Sequence, residues 1–169
     1  MGIGKDFGLA FFKAQESVGT KLPLEGNVLV TVADKDKEEL FPVAAKLARL
    51  GLRIFATENT HRFLKEKGIE SVHIKKLHEG RPNIADAMKD KEIQLIINTP
   101  IGRMSVHDDS FIRMLAIQYK IPYVTTMAAA AATVEGIEAS KNKYIEPMSL
   151  QEYHALLKEA KEPQKTGSH

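Results

Sequence analysis

Between Asn27 and Ser140, short apolar, β-rich runs alternate with longer amphipathic stretches, and this alternation limits the fold more than any other feature of the chain. Strands are expected over 27–32, 52–56, 71–74, 94–98 and 122–125, and helices over 36–50, 60–67, 83–90, 109–119 and 127–140. Gly51 and Gly68 follow the first two of these helices, where glycine eases the backbone out of a helix, and Pro122 opens the last strand. Strands that each lead into a helix need apolar cover on both faces. A parallel, doubly wound sheet between two helix layers supplies it, so the expected class is α/β, three-layer α/β/α and Rossmann-like.

The composition fits one folded domain of this kind. Its 169 residues carry 24 Lys and Arg against 22 Asp and Glu, and 43% are hydrophobic, which is too apolar and too balanced for a disordered chain. No stretch approaches the roughly 18 consecutive apolar residues of a membrane span. The surplus of +2 is spread along the chain, so no basic block marks a nucleic-acid partner. Without cysteine there is no disulfide framework, thiol catalysis or thiolate metal site, and the N-terminus does not read as a secretory signal. The expected setting is the cytoplasm.

Three segments lie outside the alternation. Residues 5–18 carry Phe7, Leu9, Ala10, Phe11, Phe12 and Ala14, an apolar set that fits a helix in need of a partner surface. Residues 19–26, with Pro23 and two glycines, read as a linker. Ser149-Leu150-Gln151-Glu152 after Pro147 has the form of a capping box and predicts a last helix. The closing Gly167-Ser168-His169 reads as the remnant of a purification tag.

In open α/β sheets, ligands sit beyond the carboxyl ends of the strands, where winding reverses and loops present helix N-termini and free amides. The candidate residues therefore lie at strand ends. Thr57 and Thr60 flank a helix start, where their hydroxyls can cap the helix or, with its amides, receive a phosphate. Lys37, Lys76 and Arg81 can supply counter-charge, or serve as solvated surface cations. Asn98 and Thr99 leave the apolar run Leu95-Ile96-Ile97, where an amide can read a ring edge or merely tie two loops. Thr125 and Thr126 end the last strand. His61, His73, His78, His107 and His154 do not fall at metal-ligand spacing, and His107-Asp108-Asp109-Ser110 reads as a helix start with an aspartate cap and an acidic first turn. No GxSxG, Walker or GxGxxG pattern is present, so no motif assigns catalysis.

The set His78-Glu79-Gly80-Arg81-Pro82, Ile96-Ile97-Asn98-Thr99, Asp109-Ser110 with Ile112-Arg113, Ala116-Ile117-Gln118-Tyr119-Lys120 and Thr125-Thr126 resembles the C-terminal regulatory domain of carbamoyl phosphate synthetase large chains, from the methylglyoxal-synthase-like fold family. The likeness runs from about Gly4 to Lys158. Asp6-Phe7-Gly8, Phe12-Lys13-Ala14-Gln15 and Leu22-Pro23-Leu24 resemble the connector that precedes this domain in bacterial large chains. The resemblance implies a division into a connector helix (1–20), a methylglyoxal-synthase-like allosteric domain (21–161) and a tail (162–169), all part of a much larger protein.

It also implies a five-stranded parallel sheet in the order 3-2-1-4-5, with its winding reversal between the first and fourth strands. The domain would bind a nucleotide monophosphate, UMP as inhibitor or IMP as activator, without itself being catalytic or holding a cofactor. The parent would use ATP and Mg, with glutamine and bicarbonate, to make carbamoyl phosphate for pyrimidine and arginine biosynthesis. Its partners would be the rest of the large chain and the glutaminase small chain, with no nucleic acid or membrane. The effector residues implied are Lys37, Thr57, Thr60, Lys76, Asn98, Thr99, Thr125 and Thr126. Three positions depart from the family's usual pattern: Pro100 in place of a second threonine, Ala128 to Ala130 in place of an Asn- and Gly-rich loop, and Val124 in place of an aspartate common in ornithine-responsive enzymes. Ornithine at the domain junction accordingly stays open.

Two other classes remain as alternatives. A methylglyoxal-synthase-like enzyme acting on a phosphorylated substrate needs a carboxylate base, yet Asn98-Thr99 stands where an aspartate is expected after the fourth strand. A purine-biosynthetic cyclohydrolase domain shares the fold but would be longer. An interaction module with polar strand ends that only cap helices would use the helix of Phe7, Phe11 and Phe12 for docking.

Overall fold

Val28, Leu29 and Val30 are each completely buried, so β1 (Asn27–Thr31) offers no face to solvent. Leu95, Ile96 and Ile97 give β4 (Leu95–Asn98) the same character. The two strands lie side by side and parallel, with Val28 opposite Leu95 and Thr31 opposite Asn98. β2 (Arg53–Ala56) pairs along the other side of β1, followed by β3 (Val72–His73), and β5 (Tyr123–Val124) pairs with the outer side of β4. The computed structural model describes residues 7–100, 102 and 106–142, and within them the sheet has five parallel strands in the expected order β3-β2-β1-β4-β5.

The twofold alternation of side chains along each strand divides the interior into two cores. Val28, Val30, Ile54, Leu95 and Ile97 point to one face, where they meet Phe12 of α1 (Phe7–Ser17), Leu40 and Leu47 of α2 (Lys37–Arg49), Leu64 of α3 (Glu58–Glu66) and Ile137 of α6 (Met127–Asn142). Leu29 and Ile96 point to the other face, against Ile84 and Met88 of α4 (Ile84–Lys89) and Ile112 and Leu115 of α5 (Val106–Gln118). Full burial of one such side chain is worth about 1.5–3 kcal/mol, so the two cores together hold the layers to the sheet.

Local chemistry sets where the helices begin. Asn83 caps α4: its Oδ1 accepts from the Ala85 N–H at 3.0 Å, while Asp86 Oδ2 accepts from the Asn83 N–H at 3.0 Å. α5 starts at Val106, earlier than the expected Asp109, so neither Asp108 nor Asp109 is its cap. Both stand in the first turn, where the helix dipole favours negative charge. α5 is apolar on both sides, leaving Phe111, Met114 and Ile117 exposed opposite the buried Ile112 and Leu115. β3 and β5, at the sheet margins, keep only two paired residues each of the longer runs expected. The helix expected at Ser149 lies outside the described residues.

The partner surface that the first helix requires is α6. Gly8 and Gly136 bring the two backbones together: a Cβ at Gly8 would lie 2.8 Å from the Glu135 carbonyl oxygen, and one at Gly136 would lie 3.1 Å from the Gly8 carbonyl oxygen. Phe12 then enters the core with 3% of its surface exposed. α1 is thus packed as part of the domain. Gly8→Ala is expected to push α1 off α6 and to cost about 1–3 kcal/mol, the usual range for overpacking. Urea unfolding measures it, and an unchanged midpoint would mean that the close approach does not hold α1 in place.

Candidate functional site

The chain winds from β1 outward through β2 to β3, then returns to the opposite side of β1 as β4, so the reversal falls between β1 and β4. Thr31 and Asn98, the last residues of these strands, stand opposite each other there. Thr31, Thr57, Thr60 and Thr99 surround this point with 1–4% of their surface exposed. Buried hydroxyls need partners. Thr57 donates to Thr31 Oγ1 at 3.2 Å, the Val32 N–H donates to Thr60 Oγ1 at 3.4 Å, and the Ala33 N–H donates to Thr99 Oγ1 at 2.9 Å.

Capping of α3 by Thr57 or Thr60 is therefore overturned. Thr57 occupies the N-cap position without a side-chain bond into the helix, and Thr60 lies inside the first turn with its hydroxyl turned back to β1. The hydroxyls instead fasten the ends of β1 and β4 to the start of α3. One result is that the first-turn amides of α3 receive no side-chain cap, which suits an incoming acceptor.

Thr31, Thr57, Lys76, Asp108 and Asp109 line a pocket of about 20 Å³ at this point, floored by Ile84 and Ile112. That is room for about one water. The three candidate cations differ in what they hold. Lys37 Nζ is 2.7 Å from Asp34 Oδ1, and this contact draws the Asp34 carboxyl below the ordinary carboxylate range. Arg81 reaches Asp86 at 2.7 Å. Lys76 has no ion-pair partner among the described residues.

Asn98 does tie elements together. Its Nδ2 donates to Asp109 Oδ1 at 3.2 Å on α5 and to the Tyr123 hydroxyl at 2.7 Å on β5. Asn98 Oδ1 is buried with no hydrogen-bond partner among the described residues. Burial, helped by the Asp109 carboxylate, raises the Tyr123 phenol above its ordinary value, against the opposing pull of the Asn98 bond, so the hydroxyl stays neutral through the physiological range.

Of the expected site residues, Thr57 and Lys76 reach the pocket, while Thr60, Asn98 and Thr99 lie buried in the frame beside it. Lys37 stands at the start of α2 beyond β1. Thr126 caps α6 by accepting the Ala129 N–H at 3.1 Å, and Thr125 lines a separate groove beneath β5 with Phe11, Ile117 and Thr133. Thr31, Asp108, Asp109 and Tyr123 were not among the expected site residues. The early start of α5 brings its two carboxylates to the pocket, which corrects the expectation that none would be at hand. Both are engaged, Asp109 by Asn98 and Asp108 by His78 Nδ1 at 3.0 Å. Among the described residues no helix is long and apolar enough to cross a membrane.

Residues 39–125 match the family model of the MGS-like domain. The carbamoyl phosphate synthase large chain, C-terminal section, of Methanopyrus kandleri is 46% identical over 155 residues, which make up 91% of this chain and 29% of that one. The corresponding section from Aquifex aeolicus is 43% identical, covering 92% of this chain and 30% of its own length. The large chain of Archaeoglobus fulgidus is 46% identical, covering 91% of this chain and 14% of that one, so this chain spans between 14% and 30% of the length of these three relatives. A methylglyoxal synthase from Elizabethkingia anophelis shares the fold, with a TM-score of 0.54 at 15% identity over 75% of this chain and 97% of that one. The chain belongs to the MGS-like domain family, in the form carried by carbamoyl phosphate synthase large chains.

Proposed function

We propose that this domain binds a nucleoside monophosphate at the ends of β1, β2 and β4 and thereby regulates a carbamoyl phosphate synthase large chain. The observation that carries the reading is the convergence of Lys76, the Thr31 and Thr57 hydroxyls and the uncapped start of α3 at the winding reversal. A phosphate placed there gains charge-assisted hydrogen bonds worth about 1.5–3 kcal/mol each. Lys37 can join at small cost, because its partner Asp34 is 85% exposed and water screens the pair. A nucleotide needs several hundred Å³, so binding widens the pocket.

UMP and IMP are the effectors to test, as inhibitor and activator. Ornithine, acting where Thr125 and Val124 meet a neighbouring domain, is a further candidate. The parent enzyme would supply ATP and Mg chemistry and the glutaminase partner, none of which this domain provides. The Asp108 and Asp109 carboxylates on the pocket favour one second reading, an enzyme acting on a phosphorylated small substrate with the Asp108–His78 pair as its acid–base group.

Calorimetry with UMP and IMP, against uridine and inorganic phosphate, tests the first reading: a monophosphate should bind better than either control. Absence of monophosphate binding at millimolar concentration overturns it, and phosphate release from a triose phosphate would move the second reading ahead. Lys76→Ala should weaken monophosphate binding about tenfold or more without moving the urea midpoint, since the side chain supports no ion pair among the described residues. Thr99→Val should do the opposite first: it leaves the Ala33 N–H buried without an acceptor and costs about 1–3 kcal/mol of stability by urea unfolding. Thr99→Ser should restore most of that loss.

A further inference from the structure

The pocket at the winding reversal holds about 20 Å³, and its two sides come from separate parts of the chain. Lys76 and Leu77 stand on one side, at the start of the turn Leu77–Glu79, and Asp108, Asp109 and Ile112 of α5 on the other. His78 joins the two sides: its Nδ1 lies 3.0 Å from Asp108 Oδ2, across 30 residues of sequence. The turn is closed on itself, because Glu79 Oε2 accepts from the Lys76 N–H at 2.8 Å. It ends at Gly80, whose φ of +102° favours glycine and whose carbonyl accepts from Asn83 Nδ2 at 3.0 Å. Lys76, Leu77 and His78 thus form one unit between β3 and the start of α4. Whatever moves Lys76 away from α5 must also part His78 from Asp108. The His78 side chain is 66% exposed, so the core does not require this contact.

We propose that the His78–Asp108 pair is an autoinhibitory latch, which holds the Lys76 turn against α5 and must open before a nucleoside monophosphate enters. This rests on the binding reading above and adds a cost to it, since apparent affinity is the intrinsic affinity reduced by the fraction of molecules already open. An exposed pair is weak, so the latch sets a threshold and does not block the site. The sign of the effect separates it from plain electrostatics. A charged imidazole beside a phosphate site adds attraction, so on charge alone its removal weakens binding or leaves it unchanged. A latch gives the reverse. Asp108 is not a sufficient probe by itself, because loss of its negative charge favours an anion in either case.

The test is calorimetry of the wild-type chain and His78→Ala with UMP and IMP, with urea unfolding on both proteins. His78→Ala should bind a monophosphate about two- to fivefold more tightly, the scale of one exposed pair, with its urea midpoint close to that of the wild type. Equal or weaker binding overturns the proposal and leaves the binding reading standing. A double variant, His78→Cys with Asp108→Cys, gives a second measurement, and its thiols react alone because the chain has no cysteine of its own. Bridging them with a short bifunctional thiol crosslinker should cost about tenfold or more in monophosphate affinity relative to the same protein unbridged. Equal binding by the bridged and unbridged forms would overturn the proposal as well. Failure of the wild type, His78→Ala and the unbridged double variant alike to bind either nucleotide removes the binding reading, and this inference with it.

Discussion

The parallel pairing of β1 with β4 is the contact on which the rest of the structure depends. Because Val28, Leu29 and Val30 are buried on one strand and Leu95, Ile96 and Ile97 on the next, each strand needs an apolar layer on both sides. α2 and α6 provide one layer, and α4 and α5 the other. Parallel strands also require long crossovers, and these leave every helix start at the same edge of the sheet. The site follows from this arrangement: the one place where neighbouring strands send their crossovers in opposite directions is between β1 and β4, and Thr31 and Asn98 end there in register.

Polar side chains at that edge face two demands. They are nearly as buried as the core, so their hydrogen bonds must be satisfied, yet the edge opens toward helix termini that attract anions. Thr57, Thr60 and Thr99 meet the first demand by bonding across strand ends rather than along helices. This leaves α3 without a side-chain cap. Lys76 meets no such demand, since its charge has no partner among the described residues. The threonines of the frame are therefore satisfied internally, while the helix start and the ammonium group would be left for a ligand.

The layer architecture was legible in the chain because a doubly buried strand has a distinctive composition, and Leu95-Ile96-Ile97 has few other places to go. The five-strand order came from resemblance rather than periodicity, since the apolar runs say nothing about which strand neighbours which. The capping alternative for Thr57 fails for a physical reason: threonine before a helix favours capping, but tertiary burial offers Thr31 Oγ1 instead. The start of α5 was set too late because the aspartates resemble caps as well as they resemble a first turn. Tyr123 carried no local signal at all. Its meeting with Asn98 depends on the pairing of β5 with β4, a contact between residues 25 apart that only the folded sheet creates.

The small size of the pocket is consistent with a site that responds to its ligand. His78, in the loop that follows Lys76, pairs with Asp108 at 3.0 Å, and this contact joins the two walls that a nucleotide would have to separate. The histidine is 66% exposed, so the pair is of the solvent-screened kind, worth about 0–1 kcal/mol. Each proposed phosphate contact with Lys76 or the α3 amides would contribute about 1.5–3 kcal/mol, so two such contacts would outweigh the closure. Such an opening would shift the start of α5 relative to the Lys76 loop, and α5 carries the exposed Phe111, Met114 and Ile117 on its outer side. A ligand that binds only the open arrangement favours it by the difference in its affinity for the two. In a regulatory domain that difference is the most that can be transmitted to the rest of the chain.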